Sequence, residues 1–378
     1  MQNSSKINTK IHANPCFFDI LIFFRHLTGP RLVITKLKGY TNLMQTRFKE
    51  ARKAGSLNPD LPTIMVSACV LGHEVRFDGG HKKQNYVVNR LSQVVNLVPF
   101  CPEAESGLGI PRESIRLVGG PEGLQAIGNR SEIDHTPALQ RWSEAFIQST
   151  DPNTINGVIL KKGSPSCGLK RVRIYPSTAQ GAIPKRDASG LFAQAFTEAF
   201  PFMPVSEEGW LNDTNLRESF LIQIFTDFRF KKVCETRSVH ALLEFHAKHK
   251  FLLMAFSPAG QKKMGRILGA AKEQSWDSLT KAYQQEMIAA LRVPPNRKRY
   301  SNALQHMAGY VKDIISNAGR QELAKAILLY ADRRVSLDVP LSLIRHHSLN
   351  PRAPDYLKKQ VYLSPYPINA FTEPAGVR

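Results

Sequence analysis

The sequence predicts two structural units, an α/β unit over residues 56–211 and an all-α unit over residues 212–367. In the first unit, short apolar and β-branched runs alternate with amphipathic segments, which is typical of a mostly parallel sheet in Rossmann-like layers with helices on both faces. After Asn212 this alternation disappears, and long segments with a helical period of about 3.6 residues follow. A chain of 378 residues, 42% of them apolar, is long enough for two such cores.

Five apolar runs predict the strands of the first unit. Residues 61–71 form the first strand, which is buried, ends at Gly72 and carries Cys69 at its carboxyl end. Further strands are predicted in NLVPF before Cys101, in SIRLVGG, in INGVIL before the loop with Cys167, and in FMPVSEE. Helices are predicted over residues 85–95, over residues 137–149 and in GLFAQAFTEAF. An open sheet of this kind gathers ligands at the carboxyl ends of its strands.

The second unit is predicted to consist of helices separated by Pro258, by Pro294-Pro295 and by Gly319. The predicted helices are Leu216–Phe230, Val239–Phe256, Gly260–Lys272, Trp276–Arg292, Ser301–Asn317 and Arg320–Asp332.

The ends of the chain are predicted to lie outside both units. The first 55 residues carry ten Lys or Arg against two acids and have no clear period, so they form either an unstructured basic arm or an upstream extension with the original start near Met44. The apolar run from Cys16 to Phe24 contains Asp19 and is too short to cross a bilayer. Neither an anchor nor a signal peptide is predicted, residues 368–378 form a tail, and a cytoplasmic location is expected.

The net charge of +20 is unevenly distributed along the chain. Residues 56–211 carry 15 basic and 15 acidic side chains, whereas residues 212–378 carry 26 basic and 14 acidic ones, a net charge of +12. A neutral segment flanked by basic ones is expected where chemistry takes place in one part and a polyanion is bound by another. Charge alone leaves a generally basic protein as the alternative.

Three of the five cysteines each follow a predicted strand, Cys69 in SACVLG, Cys101 in PFCPE and Cys167 in SPSCG. An odd, sparse set predicts reduced thiols rather than a disulfide framework. Three soft thiolates without an obvious fourth ligand suggest a metal centre with one free position, although their spacing matches neither a zinc ribbon nor a ferredoxin. A buried, inert cysteine is the alternative for each of them taken singly. Cys16 and Cys234 lie outside these motifs and are interpreted as bystanders.

SACVLG with VRFDGG, CPE with GIPR, and SPSCG with a following basic strand resemble, in this order, the motifs of the thiouracil desulfidase family. The resemblance covers residues 61–210 and implies an α/β protein with a [4Fe-4S] cluster. Its three ligands map to Cys69, Cys101 and Cys167, and the fourth iron stays open to substrate sulfur.

The same resemblance implies a catalytic pair, the Glu of CPE and the first Ser of SPSCG, which are Glu103 and Ser164 here. An iron with a free position is a Lewis acid suited to a thiocarbonyl sulfur, so hydrolytic desulfuration without net redox change is expected. This reaction needs a base for water and a hydroxyl donor, and Glu103 lies two residues after Cys101. The alternatives are a solvated loop carboxylate or an N-cap for Glu103, and a loop hydroxyl bonded to the backbone for Ser164.

Several neighbouring residues are second choices for this site. Ser67, Asp78 and Ser166 are candidates for orienting ligands or closing the pocket. The pairs Gly79-Gly80 and Gly119-Gly120 either allow close approach of the backbone or form turns.

In the second unit, LLEFHAKHKFLLMAFSP, NALQHMAGYVKD, DVPLSLIRHH and YLKKQVYLSPYP resemble the YbgA-type helical domain, over about residues 215 to 367. This domain is often fused to the desulfidase-like domain. His246 and His249 share a helix face, which permits a metal pair, although a structural role is the favoured interpretation. Interleaved Tyr300, Tyr310 and Tyr330 either stack on bases or pack in the core.

Basic residues recur across the second unit and are candidates for phosphate contacts with RNA, provided that they converge on one face. They are Lys231, Lys232, Lys248, Lys250, Lys262, Lys263, Arg266, Arg297, Lys298, Arg299, Arg333, Arg334, Lys358 and Lys359.

Three functions are compared from the sequence, and the first, desulfuration of thiolated tRNA, is the main prediction. Proteins that join these two domains resemble tRNA desulfidases that convert 4-thiouridine to uridine, and the charge distribution agrees with thiolated tRNA as the partner. The second function is desulfuration of free thiobases such as thiouracil. The third is a non-catalytic nucleic-acid-binding protein whose cluster or zinc is structural.

Overall fold

The computed structural model describes residues 57–120, 123–294 and 296–370. The predictions for the basic extension, for Cys16 and for residues 371–378 of the tail lie outside these residues. In the described part, strands end at Glu207 and helices follow from Thr214, so the predicted class of an α/β part followed by an all-α part is confirmed. The domain boundary between residues 211 and 212 stays a prediction.

The main sheet has four parallel strands, numbered here along the chain. They lie in the order β2 (Asn96–Phe100), β1 (Thr63–Ser67), β5 (Gly157–Leu160) and β8 (Val205–Glu207). The central strand is fully buried at Ile64, Met65 and Val66, as expected for a parallel strand covered on both faces.

The predicted first strand is too long. β1 ends at Ser67, and residues 68–71 form the helical turn α1 (Ala68–Leu71), which places Cys69 on the turn rather than on the strand. The turn closes at Gly72, whose φ of 101° lies in the left-handed region that favours glycine. An apolar run cannot mark this transition, because a buried strand and a buried helical turn require the same side chains.

The structure contains a second sheet, which the sequence did not predict as a separate sheet. Its order is β4 (Gly123–Gly128), β3 (Ile115–Gly120), β6 (Val172–Tyr175) and β7 (Lys185–Ala188), with β3 parallel to β6 and the other pairs antiparallel. β7 is exposed and rich in charge, so no hydrophobic pattern marks it. The loop from β2 to β3 and the loop from β5 to β6 therefore each run from the main sheet to the second sheet.

The helices match the predicted ones closely, and a side-chain cap precedes most of the long ones. Asp213, Ser238, Ser257, Ser275, Asn296 and Ser316 each accept a backbone N–H at a helix start. The helices are α2 (Asn85–Asn89), α3 (Thr136–Ser149), α4 (Leu191–Ala199), α5 (Thr214–Glu235), α6 (Val239–Phe256), α7 (Pro258–Gly269), α8 (Trp276–Leu291), α9 (Arg297–Gly309), α10 (Asn317–Ala331), α11 (Asp338–Ser348) and α12 (Asp355–Lys358).

Two predicted helices have wrong bounds. The helix predicted over residues 85–95 ends at Asn89 and is followed by the separate 3₁₀ turn Leu91–Gln93. The helix predicted over Ser301–Asn317 is α9, which begins four residues earlier because Asn296 caps it, and ends at Gly309. Polar caps lie before the first apolar residue, so periodicity alone places a helix start too late.

Helix α5 joins the two parts of the molecule. Leu221, Ile224 and Phe225 pack on the main sheet, while Ile222 and Phe230 belong to the core of the helical part. The helix approaches β5 closely at Gly157, where a Cβ would lie 2.8 Å from Cγ2 of Ile224 and 3.3 Å from the carbonyl oxygen of Pro204. Among the described helices, none combines the length and the apolar character that a membrane span requires.

We expect Gly157→Ala to lower the free energy of unfolding by about 1–3 kcal/mol, because the added methyl group overpacks the contact between β5 and α5. Urea denaturation of the purified variant measures this change. Gly269→Ala is the control, since a Cβ at Gly269 meets no atom within 4 Å. Equal stability of the two variants would show that α5 does not pack tightly on the sheet.

Candidate active site

The three motif cysteines lie at the carboxyl ends of three adjacent strands. Cys69 follows β1 by two residues, Cys101 directly follows β2, and Cys167 lies in the loop after β5. Because β1 pairs in parallel with both β2 and β5, the three segments leave the sheet at the same edge. The thiols lie close enough to raise one another's pKa. This agrees with the expectation that the three cysteines share one crevice.

All three thiols are poorly solvated. Burial raises the pKa of Cys69 to about 11, although Lys161 and Arg76 oppose this shift. Burial likewise raises the pKa of Cys101 to about 11 and raises the pKa of Cys167 above its ordinary value. The cysteines form no disulfide. At neutral pH these side chains are protonated thiols, and a bound metal that displaces the proton would make them thiolates.

The donors of the described residues bear on the kind of metal group that the cysteines could hold. No three His, Cys, Asp or Glu side chains converge there closely enough to ligate one ion. A cubane cluster takes one thiolate at each iron corner, so its ligands are spread around the cluster. Three mutually interacting thiols, of which Cys69 and Cys167 are buried and Cys101 is half-buried, fit such a cluster with one open corner.

Glu103 lies beside the cysteines and has partners on both of its carboxylate oxygens. Its Oε1 accepts hydrogen bonds from Ser166 at 2.6 Å and from Ser164 at 3.2 Å. Its Oε2 accepts a charge-assisted hydrogen bond from Nη2 of Arg112 at 2.6 Å. The side chains of Glu103 and Arg112 are 13% and 6% exposed, so this ion pair is largely removed from solvent. The solvated loop carboxylate that the sequence left open as an alternative is wrong.

Ser164 is held by the backbone of its own motif. Its Oγ accepts the N–H groups of Ser166 and Cys167, both at 3.2 Å. A hydroxyl oxygen has two lone pairs, so these two bonds leave Ser164 with its single hydrogen to donate. The structure therefore brings Glu103 and Ser164 into contact, and the catalytic roles of both stay predictions.

Two residues of this network, Arg112 and Ser166, were not among the main site residues predicted from the sequence. Arg112 belongs to the GIPR motif, and Ser166 was a second choice. The available signal was their membership of the same motifs as Glu103 and Cys167. What the sequence could not show is that the two motifs meet across two different strand ends.

The other second choices have different positions. Ser67 is buried, and its Oγ accepts the N–H of Lys161 at 3.1 Å. Asp78 lies in an exposed turn, where its Oδ1 accepts the N–H of Gly80 and pairs with Arg76 at 3.3 Å. The turn interpretation of Gly79-Gly80 is confirmed by the φ of 71° at Gly79. On another side of Cys69, Lys161 forms an ion pair with Glu208.

The two histidines of α6 have structural roles, as favoured from the sequence. Nδ1 of His246 and the hydroxyl of Tyr283 form a hydrogen bond of 3.0 Å, and Nδ1 of buried His249 donates to the carbonyl of Phe245 at 2.7 Å. Burial lowers the pKa of His249 to about 3, so it stays neutral. Among the described residues, no third His, Cys, Asp or Glu joins these two histidines as a possible metal ligand.

The candidate RNA contacts are only partly available. Tyr300 and Tyr330 are buried in the helical core, so base stacking by these two rings is wrong, whereas Tyr310 is 38% exposed. Lys231 and Lys232 line a cavity with Thr63 at the amino end of β1, away from the cysteines. Five of the named lysines pair with carboxylates, namely Lys231, Lys232, Lys248, Lys263 and Lys358.

Comparisons with known proteins match two parts of the chain to two different families. The family described as 2-thiouracil desulfurase matches residues 64–208, and the family described as protein of unknown function (DUF1722) matches residues 250–367. The uncharacterized protein YbgA of Escherichia coli (strain K12) is 30% identical over 162 residues, which are 42% of this chain and 94% of YbgA. The uncharacterized protein YbbK of Bacillus subtilis (strain 168) is 31% identical over 155 residues, 40% of this chain and 98% of YbbK.

One solved structure is also similar. It is described as the [4Fe-4S]-dependent thiouracil desulfidase TudS, is 30% identical, and aligns over 42% of this chain and 98% of its own, with a TM-score of 0.34.

We expect Gly190→Ala to displace the SPSCG loop, because the new Cβ would lie 2.5 Å from the carbonyl carbon and oxygen of Ser166. Local destabilisation of about 1–3 kcal/mol should raise the alkylation rate of Cys167 in metal-free protein by roughly tenfold or more. Mass spectrometry after timed iodoacetamide treatment measures this rate. Gly119→Ala is the control, since its nearest contact is an ordinary 3.8 Å. An unchanged rate in Gly190→Ala would mean that the loop is not fixed by this contact.

Proposed function

Because the chain belongs to the 2-thiouracil desulfurase family through residues 64–208 and to the DUF1722 family through residues 250–367, we propose that it hydrolytically removes sulfur from a thiolated pyrimidine base. The observation that carries this proposal is the group of three thiols, two of them buried and one half-buried, beside the carboxylate of Glu103. The substrate class that we favour is a free thiobase such as 2-thiouracil.

The proposed cofactor is a [4Fe-4S] cluster held by Cys69, Cys101 and Cys167. The solved relative TudS is described as dependent on such a cluster, and the donors here fit it. When bound, the cluster supplies a Lewis-acidic iron with affinity for a soft thiocarbonyl sulfur.

In the proposed reaction Glu103 acts as the general base toward water. Oε1 of Glu103 takes a proton from water, and the water oxygen forms the new C=O bond as the C=S bond breaks. Sulfur leaves as sulfide and takes up the protons of the water molecule, so one thiocarbonyl and one water give one carbonyl and one H₂S. No electrons enter or leave, and no external oxidant or reductant is needed.

Ser164 is proposed as a hydrogen-bond donor to the substrate. Both of its lone pairs accept backbone N–H groups, and its hydrogen, which is donated to Oε1 of Glu103 in this structure, would turn to a ring nitrogen or to the charge that develops on the base. A donor with a fixed oxygen position loses little entropy when it engages the substrate.

A second candidate substrate is 4-thiouridine in tRNA. The net charge of +12 in residues 212–378 favours it, because Lys and Arg on a surface bind phosphates without reading sequence. Against it stand the paired lysines and the buried Tyr300 and Tyr330. The family description names a free base, so thiouracil remains the main proposal.

We expect Cys69→Ser, Cys101→Ser and Cys167→Ser each to lose most iron and acid-labile sulfide after anaerobic reconstitution, because each removes one of three soft donors. Cys234→Ser is the control and should keep both, since Cys234 packs against the helical core. Colorimetric iron and sulfide assays measure the content per chain. A cluster that survives the loss of any one motif cysteine, or that requires Cys234, would contradict the ligand assignment.

We expect the reconstituted protein to release sulfide from free 2-thiouracil faster than from thiolated tRNA at equal concentrations of thiolated base. Sulfide assay and chromatography of the desulfurated base measure both rates. Faster release from tRNA would favour the second candidate. Binding of tRNA without sulfide from either substrate would favour a nucleic-acid-binding protein with a structural cluster.

A further inference from the structure

We propose that Arg112 is a positioning residue, which fixes the carboxylate of Glu103 and aligns it with the loop of Cys101. The expected effect of Arg112 on catalysis rests on the proposed function, because it assumes that Glu103 is the base. The expected effect of Arg112 on the structure rests on its contacts alone.

The guanidinium of Arg112 joins three separate pieces of chain. Its Nη2 donates to Oε2 of Glu103 at 2.6 Å, and its Nη1 donates to the carbonyls of Val75 at 3.0 Å and Gly109 at 2.9 Å. The backbone N–H of Arg112 also donates to the carbonyl of Phe77 at 3.0 Å. A planar guanidinium with several donors in fixed directions can serve these acceptors together, and a single ammonium group cannot.

These contacts give the two oxygens of Glu103 different partners. Oε2 is held by Arg112, while Oε1 faces Ser164 and Ser166 in the motif that carries Cys167. With both oxygens engaged, the carboxylate cannot rotate freely. Without Arg112, a carboxylate that is only 13% exposed would lose its counter-charge and its fixed orientation.

The same guanidinium links the base to the cysteines. The carbonyl of Val75, which accepts from Arg112, lies 4.0 Å from Sγ of Cys101. Val75 belongs to the segment that follows α1 and Cys69. Arg112 therefore ties the loops after β1 and β2 together at the edge where the thiols lie, and Glu103 keeps a constant position relative to them.

The test is a double-mutant cycle of Arg112→Gln and Glu103→Gln in the reconstituted full chain. We expect Arg112→Gln to lower kcat about 10²-fold with KM changed less than about threefold, because a displaced base impairs the chemical step rather than binding. In the Glu103→Gln background, Arg112→Gln should cost no further activity. Multiplicative losses would overturn the proposal, since they would show that Arg112 does not act through Glu103.

Substitution of Arg112 by lysine keeps the positive charge but removes the planar guanidinium, so it separates the effect of geometry from the effect of charge. We expect Arg112→Lys to stay within about tenfold of the kcat of Arg112→Gln, because a point charge cannot bridge Glu103, Val75 and Gly109. Full activity of Arg112→Lys would overturn the proposal. Arg130→Gln is the matched control, because Arg130 is exposed on the same part of the chain, and its kcat should equal that of the wild type.

A readout that needs no substrate keeps the inference testable if the proposed function fails. Hydrogen exchange with mass spectrometry on metal-free protein should show faster exchange over residues 74–77 and 101–110 in Arg112→Gln than in Arg130→Gln. Equal exchange in the two variants would overturn the positioning role. Absence of sulfide release by the wild type, with faster exchange in Arg112→Gln, would remove the proposed function and leave the structural role of Arg112 standing.

Discussion

The site depends on the parallel pairing of β1 with a neighbour on each side. Ser67 pairs with Phe100 of β2, and Val66 pairs with Ile159 of β5. Because the strands run in the same direction, the residues that follow them meet at one edge although they are far apart in the sequence. β1 and β5 are buried on both faces, so a shift in their register would expose apolar side chains, and packing therefore fixes the position of the thiols.

Around this edge the charges are arranged in local pairs. Glu103 with Arg112 and Glu208 with Lys161 lie near the cysteines, and each pair is largely buried. A buried carboxylate is tolerable only with such a partner. Lys161 and Arg76 favour the thiolate of Cys69 and Arg112 that of Cys101, but burial dominates and raises the pKa of all three thiols. The edge is consequently suited to soft metal ligation, while its carboxylate remains available as a base.

Periodicity in the sequence was sufficient for the strands of the main sheet and for most helices, because buried faces impose a repeat. It failed at Ala68–Leu71, at the exposed strand β7 and at the ends of α9, where local turn geometry or caps decide the structure. The three cysteines and Glu103 could be found from their motifs. Arg112 could not be assigned a role, because its partner Val75 lies on a different loop and the sequence does not show how the chain between Glu103 and Arg112 folds back.

The helical part shows why composition is a poor guide to a partner. The surplus of positive charge is a property of residues 212–378 as a whole, whereas a phosphate is bound only by side chains that converge and are free. Several of the named lysines are engaged with carboxylates, and Arg297 donates to the carbonyls of Tyr330 and Val335, where it ties helices together. Helix α5 packs on the sheet, so the helical part is attached to the catalytic part through a shared core. Through Leu221, Ile224 and Phe225 it supports the sheet that presents the cysteines.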